Sequence, residues 1–192
     1  AMLAGPLLTT LFNYKEFTSL DVLMAGHSLR AYAIGLPAFV LIKVLSAGFF
    51  SRQDTKTPVT IGLIAVVANI ILNILFVGLF NNINHELAHV GLALATSLSA
   101  YLQAFLLFRK LKKIKVYRPR KKWSGFIAKI ILAIVVMIGI IMFGVDHVFV
   151  WISWDVFDRI LNLMLWVLVS MLSYFSVLWL TGLRLRNITT PE

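Results

Sequence analysis

Five long runs of apolar residues constrain this chain more than any other feature of its sequence. They are segment A (29–50), segment B (59–80), segment C (90–108), segment D (124–145) and segment E (160–183). Each run has about the 20 residues that an α-helix needs to cross the hydrocarbon core of a membrane. None alternates as a membrane β-barrel strand would, and an open sheet cannot face lipid. The predicted fold class is therefore all-α, a polytopic helical membrane protein with about five transmembrane helices.

The region before segment A contains two weaker helical signals. Residues 1–12 have the pattern of the last turns of an apolar helix, without the positive start of a secretory signal. The run Thr18-Ser19-Leu20-Asp21 matches a capping box and predicts a separate short helix over 19–27. We therefore interpret residues 1–28 as the end of a preceding helix followed by an outer interfacial segment. The chain is then part of a longer protein.

The basic residues that give the chain its net charge of +10 are unevenly distributed. The loop 109–123 alone carries nine lysines and arginines. If the connections alternate across the membrane, one side collects 13 basic residues and the other only Lys15, Arg30 and Arg159. Because positive loops mark the cytoplasmic side, the tail 184–192 is predicted to be cytoplasmic. Few aromatics interleave the basic loop, so residues 109–122 predict contact with anionic phospholipid and no nucleic-acid partner.

Lys43 is the sharpest single candidate, because it is a charge inside segment A. A charge at membrane depth is costly and usually faces a bundle interior or a watery cavity. Helical spacing places it on one stripe, whose members are Tyr32, Leu36, Phe39, Lys43, Ser46 and Phe50. In one interpretation Lys43 is a cavity cation that meets an anionic substrate. In the other it extends to the nearby cytoplasmic interface, since only about two turns separate it from Arg52. The candidate supporting residues around it are Tyr32, Ser46, Arg52, Asp54, Asn69, Asn73 and Gln103.

Segments B and C differ from segments D and E in their polar content. Segment B carries Asn69 and Asn73 on one face, and segment C carries Thr96, Ser99 and Gln103 on one face. Small and amide residues in lipid favour helix–helix contact, which we prefer over direct substrate contact. We therefore expect residues 29–108 to pack as one lobe. Residues 124–183 form a pair of helices, segments D and E, with fewer polar side chains. These helices are expected to be exposed to lipid or suited to holding an acyl chain.

Candidate metal chemistry is confined to one short motif. The chain has no cysteine, which removes thiolate ligands and nucleophiles. His85, Glu86 and His89 match H-E-x-x-H, whose zinc chemistry needs both histidines on one helical face. Here the motif follows a turn-like run of asparagines, so we favour coincidence over a metalloprotease and expect no metal or other cofactor.

Two stretches carry a resemblance to a known family. Residues 29–39 read LRAYAIGLPAF, and residues 43–59 read KVLSAGFFSRQDTKTPV. Together they resemble the signature of the MurJ/MviN lipid II flippase family. In that signature one helix ends in a block that runs from lysine to aspartate, and the next transmembrane helix begins at Thr-Pro-Val. Residues 90–97, VGLALATS, are similar to the family's entry to the following helix. The resemblance extends over essentially the whole chain.

The resemblance implies a fourteen-helix transporter of the MOP exporter superfamily, with segments A to E as its last five helices. It implies lipid II, an undecaprenyl-linked peptidoglycan precursor, as the substrate, moved across the cell inner membrane by alternating access without enzymatic chemistry. The last two helices would add to a hydrophobic groove for the lipid tail. The cavity arginines of the family would lie in the missing N-terminal helices of the same protein. Those helices would therefore be a required partner of this part. Related exporters of polysaccharide lipids or drugs are the alternative.

Overall fold

The computed structural model of the chain describes residues 1–12, 19–83, 88–114, 123–145 and 148–182. Every regular element in these ranges is an α-helix. The helices are α1 (Ala4–Phe12), α2 (Ser19–Phe50), α3 (Lys56–Ile83), α4 (Ala88–Lys113), α5 (Trp123–Gly144), α6 (Val148–Ser153) and α7 (Val156–Leu180). Among the described residues, α2, α3, α4, α5 and α7 are long and apolar enough to cross a membrane. The all-α prediction with five spans is confirmed.

The separate short helix predicted over 19–27 is wrong. These residues and segment A form one continuous helix, α2, of 32 residues. At 1.5 Å per residue it is about 48 Å long, well beyond the hydrocarbon thickness. The two pieces join because His27, Ser28 and Leu29 include no proline that would end a helix between them. Pro37 lies inside α2 without ending it.

Other boundaries differ from the prediction where polar residues continue a helix. Helix α4 runs five residues past segment C, through the basic residues to Lys113. Lysine and arginine are good helix formers, and their charge is favourable near the C-terminal carbonyls. Helix α7 starts at Val156 rather than 160, and the loop expected before it contains the short helix α6.

The chain divides into two compact units, each described here by itself. The first contains α2, α3 and α4, and the second contains α1, α5, α6 and α7. In the first unit, α3 packs along α4, and a buried apolar cluster of Phe49, Ile61, Leu107 and Leu111 joins all three helices. In the second unit, α5 packs along α7, and α1 contacts both α6 and α7. The first unit therefore contains the helices that correspond to segments A, B and C.

Close contact between α2 and α4 depends on a glycine and two hydroxyls. Gly35 lies against Ser97, so that a Cβ at Gly35 would come within 2.5 Å of Ser97 Oγ. Ser97 Oγ donates to the carbonyl of Ala31 at 2.7 Å, and the Tyr101 hydroxyl donates to the carbonyl of Ile34 at 2.9 Å. Both acceptors lie within six residues before Pro37, which cannot donate a backbone N–H. The two hydroxyls therefore brace α2 beside its internal proline.

In the second unit, Arg159 joins three helices through their backbone carbonyls. It is only 8% exposed, although it lies in the first turn of α7. Its guanidinium donates to the carbonyl of Ile152 at 2.7 Å, to that of Trp154 at 2.9 Å and to that of Thr9 at 3.5 Å. Two of these carbonyls lie at the end of α6, where a helix lacks internal donors. Arg159 therefore caps α6 and ties it to both α7 and α1.

Candidate functional site: a polar cleft and a basic corner

A polar cleft of about 180 Å³ opens among the three helices of the first unit. One wall is the face of α3 with Gly62, Ala65 and Asn69, and the other is the face of α4. The lining residues of α4 are Thr96, Ser99, Ala100 and Gln103, and α2 contributes Phe39. These are the faces on which the sequence places its amides and hydroxyls. The structure thus brings the polar residues of α3 and α4 together.

Hydrogen bonds connect the two walls of the cleft. The Asn69 amide nitrogen donates to Ser99 Oγ at 3.1 Å and to Thr96 Oγ1 at 3.5 Å. Asn73, one turn away, donates from its amide nitrogen to Asn69 Oδ1 at 3.0 Å. The Oδ1 atom of Asn73 is buried and has no hydrogen-bond partner among the described residues. The cleft therefore contains an interhelical contact, and a buried acceptor that lacks a donor among the described residues lies one turn away from it.

The volume of the cleft limits what it can do alone. A space of about 180 Å³ is large enough for several water molecules. It is smaller than the pockets of about 300–1,000 Å³ that usually hold a small-molecule ligand. The cleft is therefore a small opening between two helices that hydrogen bonds from Asn69 join.

The stripe of α2 that includes Lys43 is exposed. Tyr32, Phe39 and Lys43 are exposed and Ser46 is half-buried, whereas the face of α2 toward α4 is buried. Phe39 lines the cleft, and Lys43 follows it by four residues on the same side of the helix. Within the described part of the chain, Lys43 has no hydrogen-bond or ion-pair partner. It therefore lies one turn beyond the cleft as an exposed cation.

The link between α2 and α3 is a tight corner in which one residue serves both helices. The amide of Asp54 donates to the carbonyl of Phe49 at 3.1 Å, and that of Gln53 to the carbonyl of Phe50 at 2.9 Å. This pair of bonds is a Schellman motif that ends α2. Asp54 Oδ1 then accepts the amide of Thr57 at 3.0 Å and caps the start of α3. Arg52 is exposed at the corner.

Asp54 remains ionised at the corner. Hydrogen bonds from the side chain and then the backbone of Thr57 hold the pKa of Asp54 below its usual value, and the charge of Lys110 acts in the same direction. Because the folded pKa is lowered, the contribution to stability is present above the unfolded pKa and is lost as pH falls through the folded value. The cap is therefore complete at neutral pH.

Gln53 has a φ of 59°, a left-handed conformation that glycine adopts without strain. We expect Gln53→Gly to stabilise the corner by about 1 kcal/mol, the cost of this conformation for a residue with a Cβ. Gln53→Val should destabilise it, because a branched Cβ fits this region worst. Thermal melting of the purified full-length protein would measure both. A valine variant as stable as the glycine variant would contradict this explanation.

Helix α7 presents a long apolar face to its surroundings. A shallow hollow along it is lined by Leu161, Asn162, Met164, Leu165, Leu168, Val169 and Leu172. Most of these side chains are exposed, and so are most of those on α5. Asn162 and Ser170 bond to backbone carbonyls of their own helix and so add little polarity to the face. An apolar surface of this kind is compatible with lipid or with an acyl chain.

The H-E-x-x-H motif gains no support from the described residues. His85 and Glu86 lie outside them, and His89 is exposed in the first turn of α4. No group of three histidine or acidic side chains that could hold a metal occurs in the described ranges. The basic residues 115–122 and the tail beyond Gly182 also lie outside the described part.

Sequence reasoning missed two features of this structure. The sequence shows Arg159 only as a loop charge, because its acceptors are backbone carbonyls, which leave no mark in a sequence. The role of Asp54 in both the end of α2 and the start of α3 is not apparent from the Arg-Gln-Asp…Thr-Pro signature either. An acid three residues before a threonine is the one signal from which the cap could have been inferred.

Comparison with known proteins identifies close relatives. The family described as lipid II flippase MurJ matches residues 1–176. A probable lipid II flippase MurJ of Vibrio cholerae is 43% identical over 187 residues, 97% of this chain and 34% of the relative. That of Haemophilus influenzae is 39% identical over 192 residues, 100% and 36% of the two chains. A lipid II flippase MurJ of Burkholderia cenocepacia is 32% identical over 182 residues, which are 94% of this chain and 34% of the relative. The chain spans about a third of the length of these curated relatives.

Proposed function

Because the chain belongs to the lipid II flippase MurJ family, we propose that it is the C-terminal part of a flippase that moves lipid II across the inner membrane by alternating access. The observation that carries this proposal is the family match over residues 1–176, which includes nearly all five membrane-length helices. The chain is a multi-pass protein of the inner membrane and belongs to a family of transporters rather than catalytic enzymes. The remaining helices of such a flippase would complete the substrate cavity.

Within this function, Lys43 is the cation that meets the anionic part of the substrate. Three observations support this role: its exposure, its lack of a partner among the described residues and its position one turn beyond the polar cleft. A charge at this depth of a spanning helix is stabilised when it faces a watery cavity. Tyr32 and Ser46, on the same stripe, would complete the polar wall around it. Asn69 and Gln103 line the adjoining cleft, and Asn73 bonds to Asn69 beside it.

Replacing Lys43 by alanine in the full-length protein should reduce lipid II translocation about tenfold or more, because a charge-assisted hydrogen bond contributes roughly 1.5–3 kcal/mol. Lys43→Arg should retain most activity, since it keeps the charge. Arg30→Ala, which removes an exposed cation from the same helix, is the matched control. The measurement is growth after depletion of the native flippase, with expression verified, together with lipid II translocation. Full activity of Lys43→Ala would contradict the cavity role.

The other parts of the chain have supporting roles in this proposal. The exposed apolar faces of α5 and α7 would hold the lipid tail. The tail 184–192 would be cytoplasmic, and the basic loop 109–122 would contact anionic phospholipid on that side. No specific observation favours an exporter of a different substrate or a metalloprotease.

Glu86→Gln should leave transport unchanged, whereas a zinc protease would lose its general base.

A further inference from the structure

The ends of three helices meet at the corner between α2 and α3. Leu107 and Leu111, near the end of α4, pack with Phe49 of α2 and Ile61 of α3 in one buried cluster. A Cβ at Gly48 would contact Leu111 at 3.4 Å, which shows how closely the last turns of α2 and α4 approach. The corner and the end of α4 are therefore held together by buried packing on the same side of the membrane.

Positive charge from two distant parts of the sequence is concentrated there. We call the following exposed cations the basic corner: Arg52, Lys56, Arg109, Lys110, Lys112 and Lys113. Asp54 is the one carboxylate in residues 51–56 and 109–113, and it is engaged as the cap of α3. Lys110 lies close enough to Asp54 to affect its ionisation. The six cations therefore greatly outnumber the local acids.

The backbone on which Arg52 lies is fixed. The Schellman motif constrains the chain on one side of it, and the Asp54 cap constrains the chain on the other. A guanidinium on a fixed backbone loses less entropy on binding and can contact a phosphate through two parallel hydrogen bonds. Topology alone requires positive residues at this end of the helices, but it does not require an arginine at a rigid corner beside the end of a third helix.

We propose that the basic corner binds the phosphate of an anionic phospholipid headgroup, with Arg52 and Lys110 as its principal contacts. The ends of three membrane-length helices place these cations at the level of the lipid headgroups. Each juxtamembrane cation adds about 1 kcal/mol of attraction to an anionic surface. The site goes beyond the expected contact of loop 109–122, because it does not need residues 115–122. A bound lipid would connect the α2–α3 corner to the end of α4.

The test uses the full-length protein in detergent, titrated with phosphatidylglycerol or phosphatidylcholine, with bound lipids counted by native mass spectrometry. The wild type should prefer phosphatidylglycerol. The double variant R52Q/K110Q should lose affinity for phosphatidylglycerol by roughly fivefold per charge removed. R52K should lose less affinity than R52Q, because lysine keeps the positive charge although it lacks the paired N–H donors of the guanidinium. R30Q, which removes an exposed arginine from the same helix α2, should bind as the wild type does.

An unchanged preference in R52Q/K110Q, with the melting temperature preserved, would overturn the proposal, and so would an equal loss in R30Q. If R52Q/K110Q weakened binding of lipid II and left phosphatidylglycerol binding intact, the cations would serve the pyrophosphate of the substrate, and the proposal would also fail. The assay measures binding without transport. Phospholipid binding can therefore be measured even in a protein that does not move lipid II. Failure of the proposed function would be detected separately, in a transport assay.

Discussion

Gly35→Ala is expected to lower the stability of the full-length protein by about 1–3 kcal/mol, the usual cost of overpacking a tight contact. The new Cβ would lie 2.5 Å from Ser97 Oγ and 3.0 Å from Ser97 Cα. The backbone of α4 cannot move aside without separating the helices, and Ser97 Oγ is already committed to the carbonyl of Ala31. Separation would also stretch the bond from Tyr101 to Ile34. Melting of the purified protein in detergent measures the effect.

Gly78→Ala is the matched control, because a Cβ at Gly78 in α3 would meet nothing within 4 Å. Alanine is the better helix former, so this variant should be neutral or slightly stabilising. Adding Ser97→Gly to Gly35→Ala removes the clashing side chain and should recover part of the loss. If Gly35→Ala and Gly78→Ala melted alike, the close contact between α2 and α4 would not govern stability.

Arg159→Ala should destabilise the second unit by about 3 kcal/mol or more, because it removes two short charge-assisted hydrogen bonds of ~1.5–3 kcal/mol each. The carbonyls of Ile152 and Trp154 would lose these donors in a half-buried environment. Arg159→Lys should be intermediate, since an ammonium keeps the charge but cannot span acceptors as a fork does. Loss of the bond to Thr9 should loosen α1 as well.

Hydrogen exchange locates this effect. In Arg159→Ala, faster exchange is expected in α6 and in α1, because both helices lose hydrogen bonds from the arginine. Arg30→Ala, which removes an exposed arginine from α2, should leave exchange in both helices unchanged. Exchange in α6 that stayed at the wild-type rate would show that Arg159 is not its cap.

Much of the polar cleft could be predicted from the sequence. Asn69 and Asn73 lie four residues apart, as do Ser99 and Gln103, so each pair occupies one helical face. Polar faces in lipid favour contact with another helix, and Asn69 does bond to Ser99 across the interface. The length of α2 was predicted wrongly. The helix begins at Ser19, as the capping-box run suggests, but it does not end near His27 and continues to Phe50.

The sequence by itself determined the number of spanning helices and their polar faces. Both follow from local properties, because the transfer of each segment into lipid depends on its own side chains and their helical period. Only the tertiary structure decided which groups meet. Arg159 bonds to Thr9 across 150 residues, and its acceptors are carbonyls that every residue possesses. The path of the chain decides which of these identical groups lie within reach of a side chain. The double role of Asp54 and the hydrogen bonds of Arg159 are therefore known only from the tertiary structure.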